Sequence, residues 1–447
     1  MEKPKKHLKR SSSCIKKLKK NSKGYFMARW SRVIVLALVL GVSNSLFAYT
    51  AESIFKEYRS RIYQIKVVDI ESDSRTSIGS GFIVADQFTV ATNYHVISAF
   101  VAKPDKYKIM IVPEIGDALP VDVVDFDIVN DLALLKADKA LGEPILIAPQ
   151  EPIQGTVIFS VGNPHDLGMT VVPGTYNGLA DNAYYHRIHF SGSINPGMSG
   201  GPVFDAQGEL TGINVATSGN QVSFLVPAKK LAEFITRREV IAPEQMLARA
   251  EAQLLESQAQ LLEDFLTLPR ETDTLGDAQV LGDIKGLVSC WGRSSRDEDE
   301  DYLVVEVTKG CSLTDNIYIS GQMTTGSLGY QFYWYDGREL SRVQFDRFLQ
   351  QKMDWRADNY VSYTDVSNYQ CSEDFTQIGD DGLTSDIAKS FFCVRRYTKF
   401  QQLHDMLYFR VAKRGQFALV SHVTVSGVSE SSALAFLESF TGDVKWP

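Results

Sequence analysis

The stretch Ser191-Gly192-Ser193-Ile194-Asn195-Pro196-Gly197-Met198-Ser199-Gly200-Gly201-Pro202-Val203-Phe204 decides how the rest of this chain is read. It is a glycine-rich turn built around one serine. A serine hydroxyl is a weak nucleophile at neutral pH, so Ser199 matters chemically only if a base reaches it. Working outward, Ala91-Thr92-Asn93-Tyr94-His95-Val96-Ile97 offers His95 after a β-like run, and Asn130-Asp131-Leu132-Ala133-Leu134-Leu135 offers an acid opening an apolar strand. An imidazole titrates near working pH and suits a general base. It needs an anion on its other nitrogen to hold the tautomer, a role that fits Asp131. The glycines let backbone amides turn inward together as an oxyanion hole. The donors assigned are the amides of Gly197 and Ser199, helped by Met198, while Pro196 has no N–H to give.

Each residue alone is weak evidence. A lone His on a strand is more often structural, a lone Asp at a strand start is usually a cap, and Gly-Gly-Pro is usually only a turn. The order His, Asp, Ser within one β-rich unit with no intervening helix gives them joint weight. That unit is visible as short runs such as Ile65–Val68, Gly81–Val84, Phe88–Ala91, Tyr107–Val112, Leu132–Leu135, Val157–Val161 and Leu210–Val215, split by Gly, Asn, Asp and Pro. Many short strands with frequent turn signals read as an all-β barrel or sandwich. Helical spacing marks residues 52–63 before it and Ala228–Arg237 after it.

These segments resemble the trypsin-like (chymotrypsin-fold) serine proteases, within them the HtrA/Deg branch of exported bacterial proteases. Gly79-Ser80-Gly81-Phe82-Ile83-Val84 looks like the family strand leading to the His, Thr92 to Val96 its His motif, and Asp131 to Lys136 its Asp motif. Val161-Gly162-Asn163-Pro164 resembles the segment before the substrate-facing loop, and Ile194 to Pro202 with Gly208 to Asn214 the nucleophile region. The resemblance covers residues 52–240. It implies a double β-barrel with the site between the barrels, and peptide-bond hydrolysis through an acyl-enzyme. It places Ser193 near the floor of the specificity pocket, Val215, Ala216 and Thr217 along one wall, and Val222 facing the floor. None is acidic, and a buried unpaired Lys or Arg would be costly there. Small or medium apolar side chains are therefore expected before the cut bond. Protein or peptide substrates follow, with no cofactor and no metal, and a homotrimer is compatible with the branch. Two departures stand out. Met198 replaces the Asn common in the branch and the Asp of digestive enzymes, so activation by an ion pair to a new N-terminus is excluded. The usual C-terminal PDZ domains are not evident.

Pro243 opens a second helix that runs to about Leu268, with Leu247, Leu254 and Leu261 seven apart. Three heptads allow a coiled coil, although a helix packed on its own protein is the commoner case. Residues 270–282 read as a linker, so 243–282 is assigned as helix plus linker. Residues 283–447 are expected to form an α+β domain with an antiparallel sheet, of unknown role. Its strands are read at Tyr302–Val307, Asn316–Ser320, Tyr330–Trp334, Met406–Val411 and Phe417–Val425, and a last helix at Ser429–Phe440. The acidic run Asp297–Asp301 reads as a solvated hairpin tip and not a calcium loop. Trp291, Trp334 and Tyr335 suit core packing better than a binding face. His186 and His189 are metal-ligand spaced but fit barrel packing better, and His165 lies near the expected cleft.

The chain has 447 residues, 46 Lys+Arg against 54 Asp+Glu, and a net charge of −8. Residues 1–48 carry twelve Lys/Arg and only Glu2 as an acid, which leaves the remainder at −19. Such an acidic body is a poor candidate for nucleic-acid binding. Arg29 and Arg32 precede an apolar run, Val33 to Val42, then small residues and Phe47-Ala48, the layout of a secretory signal. Residues 1–48 are thus read as a basic leader and signal peptide, with Met27 an alternative start and an uncleaved membrane anchor the alternative fate. The expected location is the periplasm, with secretion or anchoring as alternatives. Cys290, Cys311, Cys371 and Cys393 suggest two disulfides among three possible pairings, with sequential pairing favoured. The rival function is a catalytically idle or gated protease-fold scaffold whose last domain binds an envelope partner.

Overall fold

The computed structural model describes residues 48–181, 183–219, 221–295, 303–352, 361–377 and 387–446. The leader and the acidic run Asp297–Asp301 lie outside the described residues.

After helix α1 (Ala51–Tyr58) the chain builds six strands: β1 (Ile62–Asp69), β2 (Arg75–Ile83), β3 (Thr89–Thr92), β4 (Tyr107–Val112), β5 (Leu119–Asp127) and β6 (Leu132–Lys136). They close into an antiparallel barrel of order β1-β2-β3-β6-β5-β4. Period-two alternation drives closure: β4 buries Ile109 and Ile111 and exposes Lys108, while β5 buries Val121 and Val123 and exposes Asp122. Helix α2 (Tyr94–Ala102) interrupts the strands between β3 and β4. The expectation of no helix between His95 and Asp131 is therefore corrected. Tyr94, Val96, Ile97 and Val101 are all buried, so tertiary burial overrides the β-branched character of that segment.

A second antiparallel barrel has the order β10-β11-β12-β9-β8-β7. It comprises β7 (Val157–Gly162), β8 (Thr170–Leu179), β9 (Ile188–Phe190), β10 (Pro202–Phe204), β11 (Leu210–Gly219) and β12 (Val222–Pro227), and helix α3 (Ala228–Arg237) follows. Phe82, Leu132 and Leu134 of the first barrel share one apolar cluster with Phe159, Phe204 and Val226 of the second. That seal holds the His- and Ser-bearing turns together at the junction. The expected double β-barrel is borne out.

Helix α4 (Met246–Thr267) packs on its own protein. Gln253 clamps it to the first barrel, accepting from Ile128 N at 2.9 Å and donating to Phe126 O at 2.7 Å. Arg249 donates to Asp125, a carboxylate with no exposed surface. Further along, Phe265 tilts against Phe436, with ring centroids 4.6 Å apart. One helix thus spans both regions. The stretch read as a linker carries the hairpin β13 (Thr272–Leu275) and β14 (Ala278–Leu281).

The remainder contains β15 (Ser289–Ser294), β16 (Val305–Ser312), β17 (Ile317–Ser320), β18 (Met323–Thr325), β19 (Leu328–Asp336), α5 (Arg342–Gln351), β20 (Gln370–Gln377), β21 (Ile387–Arg396), β22 (His404–Arg414), β23 (Phe417–Val428) and α6 (Glu430–Asp443). Seven of these strands form an antiparallel sheet of order β15-β16-β19-β23-β22-β21-β20, the α+β architecture expected. The cysteines pair sequentially, Cys290–Cys311 and Cys371–Cys393, each directly across two neighbouring strands. Trp334 and Tyr335 are core residues, whereas Trp291 is exposed. The hairpin β17–β18 leaves the sheet and packs on the first barrel. Ile317, Ile319 and Met323 join the cluster that holds Tyr94, Val96 and Ile97.

Candidate functional site

His95 is the second residue of α2, whose N-cap position is Asn93. Asp131 sits just before β6 in a left-handed conformation, φ 59°. Asn93 Nδ2 donates to the Asp131 carbonyl at 2.8 Å, tying the two turns together. The Asp131 carboxylate then takes two hydrogen bonds from the same residue, His95 N at 2.8 Å and His95 Nδ1 at 2.7 Å. An ionised carboxylate only accepts, so Nδ1 carries the proton and Nε2 keeps its lone pair. Burial by itself would lower the His95 pKa. The adjacent Asp131 charge and hydrogen bond outweigh burial and the opposing Arg187 cation, and the net direction is above the usual imidazole value.

The serine turn is clamped from the first barrel. Ser80 N donates to the Ser199 carbonyl at 2.7 Å, and Ser80 Oγ to the Gly197 carbonyl at 2.8 Å. Asn214 Nδ2 reaches the Met198 carbonyl at 3.2 Å and the Val161 carbonyl at 3.1 Å. Gly197 has φ 97°, and a Cβ there would strike the Asn163 carbonyl, so only glycine fits. The Pro196 carbonyl accepts from His165 N at 2.8 Å. The next amide, Gly197 N–H, points to the opposite side of the same trans peptide. Among the described residues neither the Gly197 nor the Ser199 amide donates to another group. Met198 has no exposed surface and packs with Ile158, Phe190 and Leu225 in the second barrel.

The structure brings His95, Asp131 and the Ser199 turn to one junction, with one difference from the expected row. Ser199 Oγ donates to the Val215 carbonyl at 3.2 Å and makes no hydrogen bond to His95 among the described residues. The residues expected to shape the specificity pocket are placed as follows. Val215 lines the cleft, but Ser193 is exposed, and Val222 is 37% exposed at the end of the β11–β12 hairpin. The β11–β12 register sets Val222 opposite Gly219 and Phe224 opposite Ala216. The side chains of Ala216 and Thr217 lie outside the described residues.

Beside His95 lies a cleft of about 400 Å³. It is lined by His95, Asp131, Arg187, Val215 and Phe224 from the barrels, and by Thr314 to Tyr318 from beyond them. The Tyr318 ring stands edge-on to the His95 ring, with centroids 5.8 Å apart. Sequence reasoning missed Ser80, Asn214, Arg187 and Tyr318 as site residues. Ser80 and Asn214 were at least inside recognised segments, whereas Arg187 and Tyr318 carried no signal. His186 is exposed and His189 lies beside Phe224. Among the described residues no group of three or more His, Cys, Asp or Glu is placed to hold a metal.

Residues 79–213 match the family model described as a trypsin-like peptidase domain. The chain is similar to the human serine protease HTRA3, 30% identical over 173 residues, which cover 36% of this chain and 38% of that protein. It is also 31% identical over 148 residues to a probable periplasmic serine endoprotease DegP-like of Halomonas elongata, covering 32% and 30% of the two chains. Among solved structures, the serine endoprotease from Yersinia pestis aligns with a TM-score of 0.37 at 25% identity, over 42% of this chain and 66% of that one. The chain spans between 30% and 38% of the length of these curated relatives. The resemblance read from the motifs is borne out.

Proposed function

We propose that this chain, which carries a trypsin-like peptidase domain over residues 79–213, is an exported serine endopeptidase. The observation that carries the proposal is the doubly hydrogen-bonded His95–Asp131 pair facing a serine turn with two uncommitted amides. Ser199 Oγ attacks the peptide carbonyl carbon while its proton passes to His95 Nε2. The carbonyl electron pair moves onto oxygen, which the Gly197 and Ser199 amides receive. Collapse of that intermediate breaks the C–N bond, and His95 returns the proton to the departing amine. Water then repeats the sequence on the acyl-enzyme. Asp131 orients the imidazole and stabilises its charged form without itself taking the proton.

The absence of an acid along the expected pocket wall supports small or medium apolar residues before the cut bond. The basic leader supports export, and the printed name of the Halomonas relative supports the periplasm. Among the described residues no helix is long and apolar enough to cross a membrane. A homotrimer remains part of the proposal on family resemblance alone.

The Ser199 hydroxyl favours a second reading, a gated enzyme whose nucleophile rests on Val215 O until substrate turns it toward His95. Apo geometries often tighten only in the complex. Fluorophosphonate labelling and casein hydrolysis, run on the native chain and on Ser199→Ala, test both readings. Labelling that disappears with Ser199→Ala is expected. Undiminished casein cleavage by Ser199→Ala overturns the endopeptidase reading, and labelling that begins only after peptide is added identifies the gate.

A further inference from the structure

We propose that the β17–β18 hairpin, which lies outside the peptidase domain, supplies one wall of a substrate subsite, with Tyr318 as the specificity-determining residue for an apolar side chain near the scissile bond. The inference rests on the endopeptidase reading and deepens it. Along β17 the side chains alternate. Ile317 and Ile319 are buried against α2, and Tyr318 between them is partly buried, packs on the edge of the same cluster and, with Ile317, lines the cleft. The hairpin is fixed at its two flanks. Tyr94 Oη donates to the Ile319 carbonyl at 3.2 Å, and Asp315 Oδ2 accepts from Tyr185 N at 3.2 Å.

The geometry describes a wall and not a plug. Tyr318 meets His95 edge-on, and Ser98 Oγ, one turn further along α2, donates to the His95 carbonyl at 3.0 Å. Tyr318 therefore braces the turn that carries His95 without taking up Nε2. About 400 Å³ stays open between Tyr318 and the opposite wall of Val215 and Phe224, enough for a Leu- or Phe-sized side chain. Arg187 and Asp315, of opposite charge, line this cleft beside the His95–Asp131 pair. Val215 is also the acceptor of Ser199 Oγ, which places the subsite immediately beside the bond to be cut.

The test uses the full chain and paired peptides that differ only by Leu against Gly, at each of the residues flanking the cut. The native chain should prefer Leu at one position. Tyr318→Ala should reduce that preference about tenfold, the scale of losing one side of an apolar pocket, with the loss falling on KM. Tyr318→Phe, which keeps the ring, should restore it, and Phe224→Ala on the opposite wall should reproduce the loss. An unchanged preference in both Tyr318→Ala and Phe224→Ala overturns the proposal. So does a parallel rise in cleavage of Leu and Gly peptides by Tyr318→Ala, which would make the hairpin an obstruction. If the native chain neither labels with fluorophosphonate nor cuts any peptide, the endopeptidase reading itself has failed.

Discussion

The two barrels and the C-terminal sheet face the same problem and solve it differently. A sheet edge exposes unpaired backbone groups that invite aggregation. Each barrel removes its edges by closing on itself, and neither contains a cysteine. The seven-stranded sheet stays open, with β15 and β20 as its edges, and each edge strand is bonded covalently to its neighbour through Cys290–Cys311 or Cys371–Cys393. Closure needs a particular strand count and tilt, and the barrels' strict arrangement is also what holds the His95 and Ser199 turns in register. The open sheet is free of that geometric demand and relies on an oxidising compartment, which agrees with the proposed export.

This contrast predicts that chemistry and redox sensitivity separate by region. The largest expected effect is in the barrels: Ser199→Ala should lower kcat on casein about 10⁶-fold while leaving thermal stability near native. Asp131→Asn should cost about 10⁴-fold, because the imidazole then presents the wrong tautomer. A variant retaining a tenth of native kcat would separate this site from the proposed mechanism. Gly200→Ala should destabilise by about 3 kcal/mol or more in urea unfolding, since φ is 81° and a Cβ would strike Ser80 O and Thr92 Oγ1 across the two barrels. Replacing both Cys290 and Cys311 by Ala should cost about 3 kcal/mol, given the 21-residue separation they close. Hydrogen exchange should then rise in residues 289–294 and stay native in the barrels. Equal loosening of both regions would mean that the disulfide serves the whole molecule and not its edge.

The smallest effect concerns pH. His95 must be neutral to act as base, and its pKa is raised, so the acid limb of kcat/KM should lie above pH 6.5, with activity falling as pH drops through it. Stability runs the other way. The raised pKa contributes fully below the unfolded value and is lost as pH rises through the folded one. Arg187→Met should move the limb upward, because that cation opposes protonation of His95. A limb below pH 6 would contradict the dominance of Asp131.

The barrels were legible because their function is written in local text. The turn around Ser199 needs glycine at set positions, and strands such as Tyr107–Val112 are short apolar runs bounded by turn residues. Helix α2 was missed because its β-branched residues suit either state and only burial decides. The strands β20 and β21 were missed because mixed polar runs such as Gln370–Gln377 carry no clear alternation. The Tyr318 wall was illegible for a different reason. Nothing near Tyr318 in sequence mentions His95, and the contact exists only through the packing of Ile317 and Ile319 on α2.

Tyr94 and Ile319 are 225 positions apart along the chain. A polypeptide delivered amino-terminus first presents every strand of both barrels well before residues 314–318 emerge. Under the proposed function the blade is forged early and its guide is fitted last, so the order of synthesis would set when selective cutting begins.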